Sequence, residues 1–196
     1  DPFINRLSLL SIPRDTKIKL PGYLFNRVNE IYGYHMRRTK NPVQSSLEVK
    51  NGIEKILSND ATPLTISHFV QVDYSSFINI IDLLGGVWVT VKDPMNYDDN
   101  AGNYHFHKEP GRYLLQGKEA LFYVRFRGPT GDKGRIFRQQ EFLRNMAKRL
   151  ANPLNVMQIP KLASVIASSI RTDLSFWDLV YLTVSMRQLR SSQFSF

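Results

Sequence analysis

The sequence feature that most restricts the possible folds of this chain is a strand–helix–strand pattern near its middle. Residues 67–72 and 87–91 are predicted to be strands, and residues 74–84 between them have the apolar spacing of a helix. Asp73 is suited to cap this helix, because its carboxylate can accept N–H bonds from the first turn. The Gly-Gly pair after the helix favours an end there, since a helix C-terminus often needs a positive φ. Strands that alternate with helices indicate an α/β protein.

The other predicted elements extend this framework on both sides. A strand is predicted over 6–12, and helices over 26–38, 44–58, 118–124, 135–151, 161–169 and 175–188. Residues 93–116 are rich in Asp, Asn, Pro and Gly, and are predicted to be mostly loop, with a short strand or hairpin around 104–107 and 112–115. We therefore expect an α/β fold with a helical C-terminal layer.

The length and composition are those of a folded domain. A chain of 196 residues with 42% hydrophobic residues can bury one substantial core. We expect residues 1–196 to form a single domain, with 153–196 as a helical extension of it. The chain contains no cysteine, which excludes disulfides, zinc–thiolate sites and thiol nucleophiles. It also contains no run of 18 apolar residues that would span a bilayer.

The charge is unbalanced and locally concentrated. There are 26 Lys and Arg residues against 17 Asp and Glu residues, a net charge of +9, which predicts an anionic partner such as nucleic acid, a membrane surface or a phosphorylated ligand. Residues 125–149 hold eight basic residues and two acidic ones, so this segment carries two thirds of the net charge. Six of the eight are arginines, whose rigid planar group suits bidentate phosphate contacts.

The start of this basic segment has the features of a phosphate or diphosphate cradle. Arg125 and Arg127 are two residues apart, so an extended backbone would place both on one side. The glycines that follow allow backbone N–H groups to approach an anion. Arg135, Arg138 and Gln139 are predicted to share a face near the positive end of the next helix. The basic residues later in that helix are predicted to form a solvated face.

Two smaller patterns are weaker candidates. Arg14-Asp15 directly follows the predicted strand 6–12, and ligands of α/β proteins bind at the carboxyl ends of strands. The alternative is an ordinary turn. His105 and His107 would share a strand face, but no third metal ligand is evident, so we expect surface residues. The Asp-Asp-Asn run at 98–100 resembles a calcium loop only loosely.

Five segments together resemble the LytR-CpsA-Psr family. In order along the chain they are LSLLSIPRDT (7–16), RVNEIYGY (27–34), VQVDYSSFINIIDLLGGVWVTV (70–91), LLQGKEALFYVRFR (114–127) and GDKGRIFRQQEFL (131–143). The combination of SIPRD, DLLGGV and YVRFR with the following GR and RQQ is highly specific. The last 45 residues are similar only in helical character.

The resemblance implies a central mixed β-sheet flanked by helices and an enzyme of the bacterial cell envelope. Such enzymes are anchored by one N-terminal transmembrane helix and carry their catalytic domain outside the cell. They transfer a glycopolymer, such as a teichoic acid or capsule precursor, from a polyprenyl diphosphate to peptidoglycan. Magnesium is the family's cofactor.

The resemblance also implies roles for individual residues. The diphosphate would be bound by Arg14, Arg125, Arg127, Arg135, Arg138 and Gln139. The catalytic set would be Arg14, Asp15, Arg125, Arg127 and Asp132. Either Asp15 or Asp132 would take the proton of the acceptor, and Asp15 is a possible magnesium ligand.

The family pattern also includes a strand upstream of SLLSIPRD, with an acidic magnesium ligand. Asp1-Pro2 is typical of the turn that would follow such a strand, so we expect that strand, the main magnesium ligand and a membrane anchor upstream of residue 1. The lipid tail leads us to expect an apolar cavity beside the arginines, lined by the helices at 74–84 and 135–151 and by the C-terminal helices.

Three other functions are compatible with the same residues. The chain would be a non-catalytic binder of polyprenyl-phosphate glycans, a lipid diphosphate hydrolase, or a nucleic-acid-binding regulator. We do not expect nucleic acid as a partner, because the charge lies on a Gly-broken loop and one helix start, without a helix-turn-helix or RNA-binding signature.

Overall fold

The computed structural model describes residues 7–59, 62–100, 104–150, 170–175, 177, 178, 181, 194 and 195. The chain divides into two compact units. The first unit comprises Asp1–Leu10, Asp73–Ser169 and Phe176–Phe196, and the second comprises Ser11–Val72 and Ile170–Ser175. Whether the two units act as a single domain stays a prediction.

Helices and strands are mixed along the chain, with runs of two helices and of several strands. In chain order they are β1 (Leu7–Ser8), α1 (Val28–Thr39), α2 (Pro42–Leu57), β2 (Val70–Val72), α3 (Tyr74–Leu83), β3 (Val87–Val91), β4 (Met95–Asp99), β5 (Tyr104–Lys108), β6 (Gly111–Leu115), α4 (Gly117–Arg125), α5 (Gly131–Leu150), β7 (Ile170–Thr172) and β8 (Phe194–Ser195). The predicted α/β class is confirmed.

The described strands pair as four two-stranded ladders, which include both directions. The pairs β2–β7, β3–β6 and β4–β5 are antiparallel, and β1–β8 is parallel. Strands are present at both 104–107 and 112–115, but they do not pair with each other as a hairpin, because β5 pairs with β4 and β6 pairs with β3. The strand β4 lies in the predicted loop: Asn and Asp have low strand propensity, and pairing with β5 overrides it.

The core of the first unit lies where β3 meets α3, α4 and α5. Val87, Val89 and Val91 are buried while the residues between them are exposed, the alternation of a strand with one covered face. Tyr123 of α4 and Phe142 of α5 are among the buried residues packed with them. Two elements of the predicted strand–helix–strand pattern, α3 and β3, thus lie at the centre of this core.

The ends of α3 are capped as its flanking residues require. The predicted Asp73 cap is present, since its Oδ1 accepts a 2.8 Å hydrogen bond from the Ser76 N–H. At the other end Arg149 donates to the carbonyls of Leu84 and Gly85, at 2.7 and 3.0 Å. The prediction that Arg149 belongs to a solvated face is therefore wrong, because its guanidinium group binds the carbonyls of the two residues that follow α3.

The second unit contains the close pair α1 and α2. Ile31 of α1 is 1% exposed and packs with Ile18 and Leu20. A Cβ on Gly52 of α2 would lie 2.8 Å from the Ile31 side chain, so glycine permits the close approach of the two helices.

One predicted strand is shorter in the structure, and two predicted helices fall wholly or mostly outside the described residues. The strand predicted over 6–12 extends only over Leu7–Ser8 among the described residues, and 9–12 are not strand. The helix predicted over 161–169 lies outside the described residues, as does most of the one predicted over 175–188. Within the described part of the chain, no helix has the length and apolar character needed to cross a membrane.

Candidate functional site

The two arginines of YVRFR leave the C-terminal end of α4 together. Arg125 is the last residue of α4, and Phe126 has the extended backbone angles φ −56° and ψ 130°. Arg127 follows in the loop. The prediction that both arginines lie in one extended segment is therefore wrong for Arg125. The end of the helix and the loop that follows it still place both cations beside the same cavity. A cation in the last helical turn also interacts favourably with the helix dipole.

Arg125 is positioned by an aromatic ring that sequence reasoning missed. Its guanidinium carbon lies 4.6 Å from the centroid of the Tyr74 ring. Tyr74 begins α3, 51 positions earlier, so only the packing of α3 beside α4 brings the two residues together. Both side chains are exposed, which leaves the guanidinium group accessible to an anion.

Arg127 is held by a carboxylate that it shares with Arg135. Oδ1 of Asp132 lies 3.3 Å from Nε of Arg127 and 3.1 Å from an Nη of Arg135. The side chain of Arg127 is 58% exposed and that of Arg135 is 17% exposed. The structure thus brings Arg127, Asp132 and Arg135 together, and leaves two cations around one anion with Arg127 open to solvent.

The helix α5 begins earlier than predicted, which changes the position of its first arginines. It starts at Gly131, where φ is +59°, so Asp132 and not Arg135 lies in its first turn. A carboxylate is the charge expected at a helix N-terminus, where it complements the dipole. The prediction that Arg135 and Arg138 flank the positive end of the helix is therefore wrong by about one turn.

Arg138 and Gln139 bind backbone carbonyls at the end of α4. Arg138 donates to the Phe126 carbonyl and stacks at 5.4 Å on the Phe126 ring, and Gln139 Nε2 donates to the Val124 carbonyl at 3.0 Å. Burial lowers the pKa of the Arg138 guanidinium. These contacts fix the end of α4 from which Arg125 and Arg127 project. Their predicted binding to a diphosphate stays a prediction.

A small aromatic cavity adjoins the two exposed arginines. Its volume is about 280 Å³. Its lining combines apolar and cationic groups: Tyr97, Phe106, Phe122, Arg125, Phe126, Arg127 and Gly128. The Tyr97 and Phe122 rings lie 5.5 Å apart, centroid to centroid. We call this space the arginine cavity. It has an apolar wall with two guanidinium groups at one side, the surface expected to fit an anion attached to an apolar chain.

A second cavity of the first unit, of about 790 Å³, shares Phe126 with the arginine cavity. Phe137, Arg138 and Glu141 of α5 line it. Tyr123 also lines it, and burial, with a smaller effect from Glu141, raises its pKa to about 12, so the phenol stays protonated at neutral pH.

The residues that line these two cavities differ in part from the lining that we expected for a lipid site. α5 contributes to the second cavity as expected, but no α3 residue lines either one. The wall of the arginine cavity comes instead from α4 and from Tyr97 and Phe106 of β4 and β5. The signal for Tyr97 was weak, since it alternates with polar residues within a predicted loop, whereas Phe106 lies in 104–107, where a short strand or hairpin was predicted.

Arg14 and Asp15 belong to the second unit. Asp15 accepts a 3.1 Å hydrogen bond from Asn29 and lies 3.3 Å from Arg14 and 3.9 Å from Arg27. Arg14 has a 66% exposed side chain. The residues before this pair are not strand, so the structure does not place it at the carboxyl end of one. The pair forms a turn tied to the start of α1.

The described carboxylates do not form a magnesium site. Magnesium prefers near-octahedral oxygen coordination. Asp132 is shared by two arginines, and Asp15 is bonded to Arg14, Arg27 and Asn29. In the part of the chain that the structure describes, no second carboxylate joins either one in a cluster of metal-ligating groups. The expectation that the main ligand comes from outside these residues stays a prediction.

The first unit thus combines helices and strands with an aromatic cavity rimmed by two arginines. The chain belongs to the LytR_cpsA_psr family, whose sequence profile matches residues 1–196. The resemblance carried by the five motifs is therefore confirmed.

Named relatives are similar over nearly the whole chain. Polyisoprenyl-teichoic acid–peptidoglycan teichoic acid transferase TagU of Bacillus subtilis strain 168 is 30% identical over 186 residues, which cover 91% of this chain and 54% of TagU. Regulatory protein MsrR of Staphylococcus aureus strain Mu50 is 29% identical over 175 residues, covering 88% of this chain and 48% of MsrR. The chain thus spans about half the length of these relatives.

A solved structure shares the fold. The crystal structure of TagV from B. subtilis superposes with a TM-score of 0.77 at 26% sequence identity, covering 100% of this chain and 71% of the TagV chain. The mixed arrangement of helices and strands is therefore that of a known family member.

Proposed function

We propose that this chain is the catalytic part of a cell-envelope transferase that moves a glycopolymer from a polyprenyl diphosphate to peptidoglycan. One observation carries the proposal: exposed Arg125 and Arg127 stand at the rim of an aromatic cavity. The similarity to TagU, whose name states a transfer of teichoic acid to peptidoglycan, supports this reaction over others. The polymer would be a teichoic acid or a capsule polysaccharide, and the enzyme would act outside the cell, tethered to the membrane.

The arginines would act by binding and charge neutralisation. Phosphoryl transfer needs correct positioning and stabilisation of developing charge more than a covalent intermediate. Arg125 and Arg127 would hold the diphosphate oxygens, and Asp132 would fix the orientation of Arg127. A peptidoglycan hydroxyl would attack the phosphorus that bears the glycan and would lose its proton to a carboxylate or to solvent. The bond from that phosphorus to the bridging oxygen would break, and polyprenyl phosphate would leave.

The arginine cavity would receive the first part of the lipid. Its aromatic wall offers apolar surface directly beside the cations. Each buried CH₂ group contributes about 0.8 kcal/mol, so even a short stretch of lipid would add to the affinity supplied by the diphosphate. The requirement for an apolar chain would then separate this substrate from soluble diphosphates.

Two parts of the proposal need separate tests. A magnesium requirement is tested by removing the ion with a chelator and then adding it back. The roles of Arg14 and Asp15 are tested by Arg14→Ala and Asp15→Asn.

The decisive experiment follows a labelled glycan on a short polyprenyl diphosphate. With peptidoglycan present, we expect label on the peptidoglycan and release of polyprenyl phosphate. Release that is equally fast without peptidoglycan would identify a hydrolase, and tight binding without turnover would identify a binder. Retention on DNA with a steep salt dependence would support a regulator, the kind of activity that the name MsrR states.

A matched variant separates site effects from loss of an exposed cation. Arg112 lies over the Trp88 ring at 4.8 Å, much as Arg125 lies over Tyr74, and it lines neither of the two cavities described above. We expect Arg125→Ala and Arg127→Ala to abolish transfer, and Arg112→Ala to retain it. Equal activity in all three variants would show that the arginine site is misassigned.

A further inference from the structure

The β4–β5 ladder gathers metal-ligating side chains on the face opposite the arginine cavity. In the antiparallel register Asp98 pairs with His105, and Asn96 with His107. Side chains alternate along a strand, so these four share one face, while the intervening Tyr97 and Phe106 line the cavity. The register thus supplies the third ligand that sequence reasoning did not find for the two histidines.

The three ligating groups already converge on one point. Oδ1 of Asp98 lies 2.6 Å from Nδ1 of His105 and 2.9 Å from Nε2 of His107. The ligating atoms of all three residues lie within 4.8 Å of one another. About half of each side chain is exposed, so an ion can enter from solvent and small rotations are free.

His107 is also oriented as metal-binding histidines are. Its Nδ1 lies 3.1 Å from Oδ1 of Asn96. With an N–H donated from Nδ1 to that oxygen, a metal ion that displaces the Nε2 proton would meet the Nε2 lone pair on the side of Asp98. Such an outer hydrogen bond to the second ring nitrogen is a regular feature of histidine metal ligands, where it fixes the tautomer and the ring plane.

We propose that Asp98, His105 and His107 bind one Zn²⁺ ion. Two imidazoles and a carboxylate suit zinc, which takes three protein ligands and leaves a fourth position for water. Magnesium, which prefers oxygen ligands, does not suit this set. With bonds of 2.0–2.1 Å, two ligand atoms on a tetrahedral zinc ion are about 3.3 Å apart. The contacts of 2.6 and 2.9 Å would therefore need to widen by about 0.7 and 0.4 Å.

Bound zinc would link β4 to β5 across the ladder. The opposite face of the same two strands carries Tyr97 and Phe106, part of the arginine cavity wall. Binding would therefore stabilise that wall. The site is independent of the proposed transfer reaction, and its test needs no substrate.

The test is calorimetric titration of the metal-stripped chain with ZnCl₂ at pH 7.5, with MgCl₂ in parallel. We expect one zinc ion per chain, no magnesium binding at this site, and at least about tenfold weaker zinc binding in His105→Ala and His107→Ala. Asn96→Ala should weaken binding by about tenfold through loss of the outer hydrogen bond. The control is His68→Ala, because His68 is similarly exposed and faces a single carboxylate, Asp173, at 3.6 Å.

A direct readout makes the result independent of how well the variants fold. Co²⁺ in the intact chain should give the strong visible absorption of a four-coordinate site, and zinc should displace it. Absence of zinc binding, or binding unchanged by His105→Ala and His107→Ala, would overturn the proposal. A loss in His68→Ala equal to that in the cluster variants would also overturn it.

Discussion

Arg125 lies over the ring of Tyr74, with 4.6 Å between its guanidinium carbon and the ring centroid. The contact joins the last residue of α4 to the first residue of α3. It restricts the rotation of a long side chain whose charged end remains exposed. Restriction before binding lowers the entropy lost when an anion is bound.

Tyr74→Ala should therefore weaken diphosphate binding without unfolding the chain. A cation–π contact at an exposed site contributes about 0.5–1 kcal/mol, so we expect an affinity about two- to fivefold lower for a short polyprenyl diphosphate. Tyr74→Phe keeps the ring and should bind normally. The measurement is calorimetric titration; equal weakening by Phe and Ala would mean that the hydroxyl matters and the ring does not.

Arg127→Ala should lower affinity for the same probe by at least about tenfold, the effect of losing a charged hydrogen bond. Its side chain is 58% exposed, so the melting temperature should hardly change. Arg112→Ala is the control. A variant that melts normally and binds as tightly as the original chain would exclude Arg127 from the site.

Asp132→Asn should raise KM more than it lowers kcat. The amide oxygen can still accept hydrogen bonds from Arg127 and Arg135, but without the charge that holds them in place. Steady-state kinetics with varied lipid substrate separate the two constants. A fall in kcat of about a hundredfold or more at unchanged KM would instead identify Asp132 as the proton acceptor.

Gly117→Ala should destabilise the first unit. An added Cβ would collide with the Ile78 carbonyl and lie 2.9 Å from Oδ2 of Asp82, whose other oxygen accepts the Gly117 N–H. We expect a loss of about 1–3 kcal/mol. Gly33→Ala is the contrast, since its nearest neighbour would be Arg37 at 3.5 Å; alanine within α1 should stabilise by about 0.5–1 kcal/mol. Denaturant unfolding of both variants measures these changes.

Asp98 should titrate at a lower pH than a free aspartate. Hydrogen bonds from His105, and then from His107, lower its pKa from the ordinary 3.8. A lowered folded-state pKa adds stability that is present above pH 3.8 and is lost as the pH falls through the folded value. Carbon-detected NMR of the carboxyl group checks this, and His105→Ala should move the midpoint upward. A midpoint at or above 3.8 in the original chain would contradict the contact.

Local features were predictable where neighbouring residues suffice to produce them. Asp73 caps α3 because donor and acceptor are only three residues apart. Val87–Val91 forms a strand because its β-branched valines recur at every second position and so share the buried face. The concentration of arginines after α4 is likewise visible directly in the sequence. These features depend on short-range geometry, which the order of residues specifies directly.

Other features depend on which surfaces pack together. The pairing of β4 with β5 places Asp98 beside two histidines, the nearer of which is seven positions away in the sequence. The packing of α3 beside α4 places Tyr74 under Arg125, and α5 supplies Gln139 to the end of α4. The pattern of side chains in the sequence specifies whether a face of a strand or helix is apolar or polar. Which other face packs against it depends on strand register and helix packing, because these are decided by the fit of whole surfaces and by the burial of residues far apart in the chain.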